Sequence, residues 1–154
     1  MKMLRKLLPG FLALTLLLSA CGEAPAATEY DPAKTAQAHL DSGAFSEELD
    51  ALDADLVAGV YGLAAEPASA AVYASTGATA EEVVVLKYEK QEDADAAYKA
   101  LEKRVADQKE ACEGYLPLEI PKLDSSIVKE SGLSVLLVVA NDYAAAQKAL
   151  DGLN

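Results

Sequence analysis

Tryptophan is absent from this 154-residue chain, phenylalanine occurs twice and histidine once. A single histidine, His39, excludes a multi-histidine metal site. Any Ser-His-Asp or Cys-His arrangement would have to use it. It sits in an Ala-rich stretch beside Gln37 and Asp41, where a solvent-facing role is expected. Only two cysteines are present, with no CxxC pair, no His-Glu zinc spacing and no Gly-rich phosphate loop. Basic residues are scarce as well: 13 Lys and Arg face 25 Asp and Glu, a net charge of −12. That balance argues against nucleic acid, whose binding needs clustered cations. It also argues against lying flat on anionic lipid. The acidic residues do not form a calcium loop. Counting from Asp53 places Asp55, Val57, Gly59 and Ala64 where oxygen ligands should fall, and the pattern fails. No cofactor and no metal is therefore expected, and the acidic surplus reads as a solvated surface.

Long apolar runs are also missing, with one exception. Leu7 to Leu18 is about a dozen residues, short of the roughly 20 that span a bilayer as a helix. Lys2, Arg5 and Lys6 precede it, and Leu18-Ser19-Ala20-Cys21 ends it. This is the layout of an export signal, and its end resembles the lipobox of bacterial lipoproteins. The expectation is a signal peptide over 1–20, lipidation of Cys21, and a flexible tether over 21–30 built of small, polar and Pro residues. Two acyl chains anchor stably where one does not. Loss of Lys2, Arg5 and Lys6 would take the charge from −12 to −15. The expected location is the extracytoplasmic face of the cell membrane. Gly22 after the cysteine would favour the outer membrane in a Gram-negative host. With Cys21 consumed, Cys112 stands alone and no intramolecular disulfide is expected.

Residues 31–154 read as one α+β domain. Asp31-Pro32 opens a short helix running to about Leu40. Ser46 is expected to cap a second helix whose core stripe is Leu49, Leu52, Leu56, Val60 and Leu63, ended by Gly62 and Pro67. Ala70 to Thr76 and Glu82 to Glu89 form a hairpin around Gly77-Ala78-Thr79. Val83-Val84-Val85-Leu86 marks a central strand. Glu92 to about Glu113 is a long helix with Ala94, Ala97, Tyr98, Leu101, Val105, Gln108 and Cys112 on one face. Pro117 and Pro121 mark a loop. Ser126–Glu130 and Ser134–Ala140 form a second hairpin about Ser131-Gly132. Asn141 or Asp142 caps a last helix with Tyr143, Ala146, Leu150 and Leu153 facing inward. The expected sheet has four mostly antiparallel strands from two hairpins, each followed by a helix, with the helices on one face. A ββα repeat is suggested by Asp93–Leu101 and Asp142–Leu150, which match at six of nine positions.

Several stretches together resemble a family of small bacterial lipoproteins known as domain of unknown function 4358. They are Tyr61-Gly62-Leu63 after an acidic helix, Ser75-Thr76-Gly77-Ala78-Thr79-Ala80-Glu81-Glu82-Val83, Arg104-Val105 with Gln108, Tyr115-Leu116-Pro117, and Gly132 before an apolar strand. The resemblance covers roughly 31–154. It implies a fold and a location, favours a Gram-positive host, and brings no established activity.

Candidate chemistry is sparse. Cys112 lies near a helix C-terminus on the apolar stripe with Glu110 and Glu113 nearby, which suits a buried, inert thiol. Gln108 is a polar residue on that stripe and needs hydrogen-bond partners if buried. With Arg104, one turn earlier, it is a candidate for lining a small pocket for a polar ligand; the plainer alternative is a structural tie. Tyr61, Tyr73, Tyr88 and Tyr115 are expected to serve as large core residues. The leading functional reading is a non-catalytic binding or accessory module of the cell envelope. Its partners would be the membrane through its anchor and an envelope protein or small ligand. A second reading is an envelope enzyme acting on a glycan, with Glu81 or Glu82 and an acid from another element about 5–10 Å apart. A third is a structural or stress-related surface protein.

Overall fold

A computed structural model describes residues 28–153. The expected signal peptide, Cys21 and most of the expected tether lie outside the described residues. The elements are α1 (Pro32–Leu40), β1 (Asp50–Ala51), α2 (Ala54–Tyr61), β2 (Ser69–Ala74), β3 (Glu82–Lys87), α3 (Gln91–Tyr115), a 3-10 turn (Pro117–Glu119), α4 (Ile120–Asp124), β4 (Ile127–Ser131), β5 (Ser134–Val139) and α5 (Tyr143–Asp151).

The strands form one antiparallel sheet in the order β1-β2-β3-β5-β4. The two apolar runs, Val83–Leu86 and Val135–Val139, pair with each other at its centre and are buried on both faces. Successive side chains of a strand point to opposite faces, so each run feeds two cores. Val84, Leu86, Val135, Leu137 and Val139 pack under α2, α3 and α4 through Val57, Tyr61, Ala97, Leu101, Cys112 and Leu123. Val83, Val85, Leu136 and Val138 pack under α1 and α5 through Ala36, Ala146 and Leu150. The domain is thus helix, sheet, helix in three layers, where helices on one face were expected. A central strand apolar on both faces requires a cover on each.

The sheet has five strands rather than four. The fifth, β1, lies where the second helix was expected to begin. Ser46 does not cap that helix; its N–H and hydroxyl both donate to Glu81. Leu49 consequently turns into the core beneath α1, and Leu52 hydrogen-bonds the edge of β2. The shortened α2 faces inward with Val57 and Tyr61, while Leu56 and Val60 are each 50% exposed. Gly62 ends it with φ of 62°, a left-handed conformation that glycine adopts without penalty.

Other positions differ more locally. The Pro117–Pro121 stretch is the 3-10 turn and α4, which buries Leu123 against α3. Tyr143 is exposed at the start of α5, although Ala146 and Leu150 face inward as expected, and Asp142 is the cap. The two hairpin–helix units share element order but not packing: α3 has 25 residues on one face and α5 has nine on the other. Tyr30, assigned to the tether by sequence, is buried and donates its N–H to Ser134 Oγ at 2.7 Å. Next to it, Glu29 pairs with Lys87 at 2.8 Å. Among the described residues, no helix is long and apolar enough to cross a membrane.

Candidate functional site

Glu81 immediately precedes the central strand β3 and Glu82 opens it, and both are 1% exposed. Each enters a different polar cluster. Burying a carboxylate is costly unless it is paired and hydrogen-bonded.

Glu82 lies on the α2–α3 side. Arg104, from the middle of α3, donates from Nε to both of its oxygens at 2.9 and 3.0 Å, and from Nη2 at 2.9 Å. The Tyr61 hydroxyl donates to the same carboxylate at 2.7 Å. Gln108 completes the set when its amide is turned to suit its neighbours: the nitrogen then donates to Glu82 Oε1 at 3.2 Å and the oxygen accepts from Arg104 Nη2 at 3.2 Å. The guanidinium sits over the Tyr61 ring, 4.2 Å from its centroid. Burial opposes the charge of Arg104, but the hydrogen bonds and attraction of Glu82 outweigh it and raise its pKa. Burial, and then the neighbouring carboxylate, push the Tyr61 phenol far above its ordinary range.

Glu81 belongs to the second cluster. It accepts from the N–H of Ser46 at 2.8 Å, from the Ser46 hydroxyl at 2.5 Å and from Lys122 at 2.7 Å. Lys122 also meets Glu119 at 3.0 Å, and Glu119 accepts from the N–H of Ala80 at 2.9 Å. This cluster ties α4, the 3-10 turn and the segment before β1 to the start of β3. Glu81 does meet an acid of another element, but Lys122 bridges the two carboxylates.

Between α2 and α3 runs a groove of about 370 Å³. Arg104 and Gln108 both line it, with Gly59, Val60, Tyr61 and Gly62 opposite and Ala100, Lys103 and Asp107 along the α3 wall. Lys103 and Asp107 pair one turn apart at the rim. Glu82 forms the buried support beneath, so Arg104 is fixed in direction yet keeps 22% of its side chain exposed. The arrangement can hold and orient a polar ligand. It offers no carboxylate free of a cation for proton transfer.

The remaining candidates fall elsewhere. His39 is fully buried rather than solvent-facing, because α1 lies flat on the sheet. Its Nδ1 is 2.9 Å from the carbonyl of Thr35, and its Nε2 has no partner among the described residues. Burial lowers its pKa, with the Thr35 bond opposing. Cys112 is buried and free. Tyr61 and Tyr88 are core residues, whereas Tyr115 is exposed. Sequence reasoning missed Gly59 and Lys103 as groove residues and the Glu82–Arg104 pairing. The available signal was the Glu-Glu pair set directly against an apolar strand.

The chain is thus an α+β domain whose five-stranded antiparallel sheet is covered on both faces, with a buried ion pair under a helix–helix groove. It belongs to the family described as Domain of unknown function (DUF4358), whose model matches residues 41–140. No curated protein and no solved structure matches it. The matched span contains both polar clusters and the whole groove; it begins after α1 and ends before α5.

Proposed function

We propose that the protein is a lipid-anchored, extracytoplasmic binding module of the cell envelope, and that the α2–α3 groove is where it takes a small ligand or a partner's side chain. The observation that carries this reading is Arg104. A buried ion pair contributes little net stability compared with apolar packing of the same volume. Here a carboxylate, a phenol and an amide converge to hold one guanidinium in a fixed direction at the floor of an open groove. Pre-set polar groups in a concave site are the usual means of orienting a ligand. Occupation of Glu81 and Glu82 by cations disfavours the alternative of an enzyme built on paired carboxylates, since neither carboxyl is left to exchange a proton with a substrate. The anchor rests on Cys21 and the residues before it.

Two experiments test the two parts. Replacing Cys21→Ser should move the protein from the membrane fraction to the soluble fraction of the envelope; unchanged membrane association would remove the anchor. A photo-crosslinking residue at Val60, on the groove rim, should capture a specific partner or ligand in living cells. The same residue at Lys129, exposed on edge strand β4, should not. Equal capture at both positions would remove the groove.

A further inference from the structure

Resting on the reading of the α2–α3 groove as a ligand site, we infer that its ligand ends in a free carboxylate and that Gly59 is the residue that keeps the seat open. Gly59 lies inside α2, a helix of only eight residues. Glycine is the poorest helix former after proline, so its presence there weakens the element. Neither usual reason for it applies. Its backbone is not in the left-handed region, unlike Gly62 at the end of the same helix, and no atom lies within 4 Å of where a Cβ would stand. Gly59 is exposed and lines the groove, so that open space adjoins it. A side chain at this position would meet no part of the fold and would stand at the groove wall.

The chemistry of the ligand follows from the cationic hydrogen-bond donors that line the groove. Glu82 engages Nε and Nη2 of Arg104, and among the described residues no carboxylate engages Nη1. Lys103 stands on the same wall and, among the described residues, pairs with Asp107 alone, at an exposed rim. An incoming anion can therefore accept charge-assisted hydrogen bonds from a guanidinium already fixed in direction. A single negative charge suits the site better than two. Glu82 and Asp107 already balance Arg104 and Lys103, so a phosphate dianion would leave a larger uncompensated charge in a strongly acidic protein. Val60 on the α2 wall and Ala100 on the α3 wall give the groove apolar surface, which fits a short aliphatic group next to the carboxylate. The class is a small aliphatic carboxylate, such as the C-terminal end of a short peptide.

Calorimetric titration of the full-length protein tests this with three probes: dialanine, its C-terminal amide and inorganic phosphate. Dialanine should bind saturably. The amide should bind about tenfold more weakly or worse, as expected for loss of a charged hydrogen bond, and phosphate should not bind. Gly59→Leu should abolish dialanine binding with no fall in melting temperature. Equal affinity for acid and amide, tighter binding of phosphate, or no binding of dialanine would each overturn the carboxylate assignment. The groove reading would then still stand on crosslinking at Val60. Unchanged dialanine binding by Gly59→Leu would overturn the role of Gly59 and the groove reading together.

Discussion

Glu82 and Arg104 meet across the interface of β3 and α3 through three hydrogen bonds of 2.9–3.0 Å, with the carboxylate fully enclosed and the guanidinium partly open. The asymmetry decides what each substitution does. Arg104→Met removes the cation and strands a buried carboxylate, which should cost about 3–5 kcal/mol by urea denaturation. Adding Glu82→Leu removes the stranded charge and should recover most of that loss. The Tyr61 hydroxyl would still lack its acceptor, at about 1–3 kcal/mol. A double variant no more stable than Arg104→Met would show that the pair is not coupled as the geometry requires.

The core of α3 and the face of α2 give a contrasting pair. Leu101 is fully buried, and Leu101→Ala should cost about 2–5 kcal/mol. Leu56 is a leucine of the same chemistry on a half-exposed face, and Leu56→Ala should change stability by no more than about 0.5 kcal/mol. Equal losses in the two variants would place Leu56 in the core after all.

That contrast also explains what was legible in the sequence. The α3 face could be read because six turns of consistent apolar spacing leave one solution, and the structure puts Ala94, Ala97, Leu101 and Cys112 inside. The central strands could be read because Val83–Leu86 and Val135–Val139 are apolar on both faces. The stripe through Leu49, Leu52, Leu56, Val60 and Leu63 had an equally good period, but it is not one helical face: Leu49, Leu52 and Leu63 do pack on the core, whereas Leu56 and Val60 are half-exposed. Glu81 captures Ser46 from 35 residues away, and that long-range bond turns the chain before the helix can start. Local periodicity carries no trace of it. Two layers of helix were implicit in strands with no polar face, whereas His39 in an Ala-rich helix gave no sign that α1 would lie flat on the sheet. For the candidate site, Arg104 and Gln108 stood out as polar residues on or beside an apolar face. Gly59 and Lys103 did not, because an empty space has no sequence pattern.

His39 makes stability depend on pH in a window of its own. Its pKa in the folded protein lies below the ordinary 6.5 because burial disfavours the charged ring. The unfolded chain therefore takes up the proton first as pH falls. Stability should decline from about pH 6.5 downward and level off once the folded ring is also protonated. Glu29 and Asp95 have pKa values lowered by partners in the folded state, from 4.5 and 3.8, so their contributions are lost only at more acid pH. His39→Phe should remove the decline just below pH 6.5 and leave the more acid loss in place. An unchanged profile in chemical denaturation between pH 7 and 5 would show that the ring is not held neutral.

Lys122 should matter more than a surface lysine does. Its ammonium lies between Glu81 and Glu119, and although burial opposes its charge, the two carboxylates raise its pKa. An exposed ion pair contributes about 0–1 kcal/mol, but removing this cation leaves two buried carboxylates facing each other. Lys122→Met should cost about 3–5 kcal/mol. The loss should be localised, because the cluster is what ties α4 and the 3-10 turn to the start of β3. Amide exchange should accelerate first at Ala80, whose N–H is held by Glu119, and at Ser46, whose N–H is held by Glu81. Exchange at Leu101, in α3 and outside that cluster, should follow only the global change. Uniform acceleration across α3 and α4 would mean that the cluster supports the whole domain rather than this corner.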